Sequence, residues 1–79
     1  MSKNNIKKNI KLSGEFDRYI SRNPSVLKRI PRGVNIVMTS SKDQALSTAN
    51  RNIARNNRSG QFIEAHKADG SWKIQSIQR

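Results

Sequence analysis

Apolar positions along this 79-residue chain change rhythm several times, and each change marks an element. Phe16, Tyr19 and Ile20, then Val26, Leu27 and Ile30, recur at helical spacing with Asn23-Pro24 between them. A residue before proline avoids helical geometry, while asparagine at the N-cap with proline next opens a fresh helix. The pattern predicts a helix capped by Ser13, with Glu15 and Asp17 in its first turn, and a short second helix after Asn23. Ile30-Pro31-Arg32-Gly33 then makes a turn. VNIVMT, residues 34–39, is β-branched; Val34, Ile36 and Met38 share one side and Val37 the other, as in an internal strand. Ser41 and Gln44 match a capping box for a helix running to about Arg58 and stopped by Gly60, with Leu46, Ala49 and Ile53 as its seam.

The last stretch, QFIEAHKADGSWKIQSI, alternates about Asp69-Gly70, a pair suited to the two positive-φ positions of a type I′ turn. That turn sets Ala68 opposite Ser71, Lys67 opposite Trp72, Ala65 opposite Ile74 and Ile63 opposite Ser76. Ile63, Ala65, Trp72 and Ile74 then share a face for the helices; Phe62, Glu64, His66, Lys73, Gln75 and Ile77 take the other. The sum is an α/β chain of the α+β kind: a small αβαββ domain over residues 13–79. A right-handed crossover joins two parallel strands and a hairpin follows, giving a three-stranded mixed sheet with helices mainly on one face. Residues 1–12, with Lys3, Lys7, Lys8 and Lys11 and no acid, are too short for an independent helix and are expected to form a flexible basic arm.

Charge adds what the pattern lacks. Sixteen Lys and Arg against five Asp and Glu leave +11, beyond the roughly 2–8 that keeps a small domain soluble. Such a field attracts polyanions. At helical spacing Arg51, Arg55 and Arg58 are neighbours about 120–180° round from Leu46, so they are expected to face away from the sheet. Asn52 adds an amide there; Lys67 and Lys73 on the hairpin, with Lys7, Lys8 and Lys11, extend the surface. No run nears the roughly 18 apolar residues of a membrane helix, and no cysteine is present, so a cytoplasmic protein without membrane insertion is expected.

EFDRYISRNPSVLKRIPRGVNIVMTSS followed by ALSTANRNIARNNRSGQFIEAHK resembles a family of small prokaryotic proteins known as domain of unknown function 5647. The likeness rests on the opening around Glu15 and Phe16, Asn23-Pro24, the turn ending at Gly33, the apolar strand and the helix bearing Asn50, over residues 13–67. It implies an α/β domain and transfers no activity or site.

Catalytic equipment is sparse. Glu64 and His66 share a strand face, but a zinc site needs three or four ligands and there is one histidine, so a surface pairing of Glu64 with Lys73 or Gln75 is expected. Ser40, Ser41 and Ser47 lie where capping and helix-surface roles place them, and the four glycines stand singly, without a phosphate-cradling loop. The reading is a non-enzymatic, cofactor-free binding protein contacting the backbone of DNA or RNA. The alternative is a protein-interaction module for an acidic partner or for self-association, as a monomer or an edge-strand dimer.

Overall fold

The computed structural model describes residues 3–57 and 59–77. Helix α1 spans Lys3–Arg22, a 3-10 helix Pro24–Arg29, strand β1 Asn35–Ser40, helix α2 Gln44–Asn56, strand β2 Phe62–Ala68 and strand β3 Ser71–Ser76. The sheet order is β1-β2-β3, with β1 parallel to β2 and β3 antiparallel to it. The protein is a small α+β domain on a three-stranded mixed sheet.

The hairpin keeps the register its turn dictates: Ala65 pairs Ile74, Lys67 pairs Trp72 and Ala68 pairs Ser71. Asp69 and Gly70 both adopt positive φ, 51° and 83°, the conformation that closes a two-residue loop. Ala65 and Trp72 meet Leu12 and Phe16 of α1 and Leu46 of α2 in the core, with Ile36, Met38 and Ile74 packed around them. Phe16 and Trp72 rings lie 5.0 Å apart, tilted by 53°, a geometry worth about 0.5–1.5 kcal/mol beyond area burial.

Several local expectations are corrected. The first helix starts at Lys3, so Ser13 and Gly14 lie inside it and Ser13 caps nothing. Its early turns hold because Leu12 is buried in the core and Asn9 exchanges side-chain hydrogen bonds with Asn50, contacts that an isolated helix lacks. The segment after Asn23 is a 3-10 helix with none of its residues buried; Leu27 is 52% exposed. Asn23 makes no side-chain cap there, donating instead to the Tyr19 carbonyl at the end of α1.

Strand β1 lies at an edge, not inside, because β2 takes the centre. The second helix is capped by Asp43, whose carboxylate accepts from the Leu46 N–H at 3.1 Å, and it ends at Asn56. Its buried residues are Leu46, Ser47, Asn50 and Ala54, while Ile53 is 45% exposed. At 100° per residue this buried arc is turned about 80° from the apolar seam. The reason is the edge of β1. Asn50 Nδ2 donates to the Met38 carbonyl at 2.7 Å, and the Ser40 N–H donates to Ser47 Oγ at 2.9 Å. Polar residues on α2 thereby satisfy main-chain groups that an edge strand would otherwise leave unpaired.

Candidate nucleic-acid interface

The turn of α2 decides where its arginines go. With the buried arc centred between Leu46 and Ser47, Arg51 flanks that arc, and its long side chain reaches Glu64 on β2. Arg51 Nε donates to Glu64 Oε1 at 2.9 Å and an Nη donates to Oε2 at 2.8 Å, a two-pronged ion pair. The expectation that Arg51 faces away from the sheet is therefore corrected. Glu64, expected at the surface, is 3% exposed. It also accepts from Gln75 Nε2 at 3.0 Å and from Thr39 Oγ1 at 2.6 Å. Burial pushes its carboxyl up, but the hydrogen bonds from Arg51, Thr39 and Gln75 and the guanidinium charge outweigh burial and hold it at about 2.

An ionised Glu64 only accepts, so the Thr39 hydroxyl donates its one hydrogen bond to it. Thr39 Oγ1 must then accept from His66 Nδ1, 2.7 Å away. The network assigns the Nδ1-protonated form of His66, leaving Nε2 as the acceptor when the ring is neutral. Thr39 is 0% exposed, so its hydroxyl is a structural link rather than an accessible nucleophile. Among the described residues no three His, Asp or Glu side chains gather as a metal cluster would require.

Two further carboxylates take up lysines. Lys67 Nζ donates to both Glu15 oxygens, at 2.7 and 3.0 Å, and this bond lowers the Glu15 carboxyl against the opposing effect of burial. Lys8 lies 3.1 Å from Asp43, whose carboxyl is lowered first by the Leu46 N–H and then by Lys8. Of the residues singled out in the sequence, Arg51, Lys67 and Lys8 are thus committed to partners within the chain. Asn52, Arg55 and Lys73 are exposed, as are Lys7 and Lys11, while Arg58 lies outside the described residues. Arg51 and Arg55, the described arginines of α2, do not form one outward surface.

The continuous α1 assembles a different one. Lys3, Lys7, Lys11, Arg18 and Arg22 are all exposed. Spaced by 4, 4, 7 and 4 residues, they fall within an arc of about 100°, roughly 145° round from Leu12 and Phe16. The ridge runs about 28 Å along the helix. Residues 3–32 carry nine of the sixteen Lys and Arg and two of the five acids, so +7 of the +11 lies in this part of the chain. Arg18 and Arg22 escaped the sequence reading because a helix begun at Ser13 separates them from Lys3, Lys7 and Lys11 of the expected arm. Their shared phase was the signal, had the helix been continued through Gly14.

No curated protein and no solved structure matches the chain. A family model does match, over residues 4–68, which covers α1 and the sheet through β2. On that match, the chain belongs to the family of unknown function DUF5647.

Proposed function

We propose that this protein is a non-enzymatic binder of nucleic acid that grips the phosphate backbone along the exposed face of α1. The observation that carries the reading is the alignment of Lys3, Lys7, Lys11, Arg18 and Arg22 on one helix face. Phosphates are matched by such a ridge without any reading of base edges, and the field of the remaining cations strengthens the encounter. Arg51 and Lys67 leave the footprint because each already neutralises a carboxylate. Lys73 and Arg55 are exposed on other elements and add to the general positive field.

Five phosphate contacts imply a salt slope of about −4.5 on duplex DNA, so affinity falls about 500-fold between 50 and 200 mM salt. Replacing Lys7, Lys11, Arg18 and Arg22 together by Gln makes the slope shallower by about 3.6. Each exposed substitution costs within about 0.5 kcal/mol, so the variant folds. Fluorescence anisotropy across a salt series reads the slope. A folded quadruple variant with the wild-type slope rejects the ridge as the contact surface.

A second reading, a protein-interaction module, draws on the exposed isoleucines Ile6, Ile10 and Ile53, at 47%, 67% and 45% exposure. Co-purification of a partner that survives nuclease treatment supports it; loss of the partner supports the nucleic-acid reading.

A further inference from the structure

Beside the basic ridge, α1 and the β2–β3 hairpin enclose a groove of about 240 Å³. Its walls include Glu15, Arg18, Tyr19 and Arg22 of the helix and Lys67 and Trp72 of the hairpin. Trp72 is 8% exposed and packs against Phe16, so it forms the floor. Tyr19, half-buried, supplies an aromatic wall. The charges are unevenly placed. Glu15 is bound to Lys67, whereas Arg18 and Arg22, one turn apart and exposed, stand on the groove and on the ridge at once. A ligand suited to this arrangement is flat and apolar on its faces, with negative charges along the one edge that meets Arg18 and Arg22. An unpaired nucleobase within its sugar-phosphate strand has that form; a base inside a duplex has both faces covered by its neighbours.

We infer that Tyr19 is a stacking platform for an unpaired base of a single-stranded nucleic acid, with Arg18 and Arg22 holding the adjacent phosphates. This deepens the ridge reading and rests on it. It also makes single strands the preferred ligand, since duplex offers the ridge its phosphates but gives the groove nothing. Stacking is indifferent to base identity because every base has a π-face, and both DNA and RNA strands supply the same chemistry.

Trp72 is the only tryptophan in the chain, so its emission reports on the groove alone. The probes are oligothymidylate, oligouridylate and a base-free sugar-phosphate strand, each on the order of ten nucleotides long, titrated in low salt. The base-bearing strands quench Trp72 and bind about fivefold or more tightly than the base-free strand. Tyr19→Ala removes that preference without changing affinity for the base-free strand, and Tyr19→Phe restores it. Should Tyr19→Ala fail to fold, the comparison of strands on the unaltered protein decides alone. Equal affinities with and without bases, and no quenching, overturn the stacking site while the ridge stands. Absence of binding to every strand overturns the ridge and the groove together.

Discussion

Replacing Arg51 by Gln removes the guanidinium that neutralises a carboxylate only 3% exposed. A glutamate held at about 2 against its ordinary 4.5 corresponds to about 3 kcal/mol in favour of the ionised folded form. The domain as a whole has about 4–12 kcal/mol at this length, so the site is a large share of it. Removing one partner of a buried pair typically costs about 3–5 kcal/mol. Here the Arg51 side chain is 27% exposed, and Glu64 keeps Thr39 and Gln75. The expected loss for Arg51→Gln at neutral pH is therefore about 2–4 kcal/mol. The sign with pH follows from the lowered carboxyl. In the unaltered protein this stability is fully present above about pH 5, drains as pH falls from about 4.5 toward 2, and is absent below that. Arg51→Gln lifts the Glu64 carboxyl and flattens the acid limb. Changing both Arg51 and Glu64 to Gln restores at least about 1 kcal/mol relative to Arg51→Gln alone, because no unpaired buried charge is left. Urea unfolding at a series of pH values measures all three. A loss below about 0.5 kcal/mol for Arg51→Gln, with an acid limb superimposed on the wild type, would refute the claim that the guanidinium holds Glu64 ionised.

Other changes test separate joints of the structure. Asn50→Leu deletes the donor to the Met38 carbonyl and the link to Asn9, and is expected to cost about 1–3 kcal/mol in urea unfolding while leaving the salt slope of nucleic-acid binding in place. Thr39→Val keeps side-chain volume but strips a hydrogen bond from Glu64 and the acceptor from His66 Nδ1; it is expected to cost about 1–3 kcal/mol, with the Glu64 carboxyl resonance titrating at higher pH by NMR.

The hairpin was legible because its information is local. Asp69-Gly70 permits one tight turn, and alternation with period two then assigns every side chain of β2 and β3 to a face. The parallel crossover was legible for a similar reason, since a strand, a helix and a strand of these lengths join in one common way. Leu46, Ala65, Trp72 and Phe16 entered the core as their apolar character requires. Segment boundaries nearer the N-terminus were not legible: Leu12 and Asn9 complete the helix by touching residues far along the chain, Asn50 lying 41 positions from Asn9.

Sequence by itself determined the element order, the hairpin register and the excess of positive charge, because these depend on neighbours along the chain and on counting. Tertiary structure alone decided which charges are spent. Once β2 takes the centre of the sheet, β1 becomes an edge whose carbonyl and amide groups need partners, and Asn50 and Ser47 turn α2 to supply them. That rotation brings Arg51 to Glu64 and leaves Ile53 outside. The aligned outward cations lie on α1, where a helix continued by long-range contacts puts five of them in phase. Hydrogen-bond satisfaction at a strand edge outweighed apolar periodicity, and no local pattern encodes which strand will be the edge.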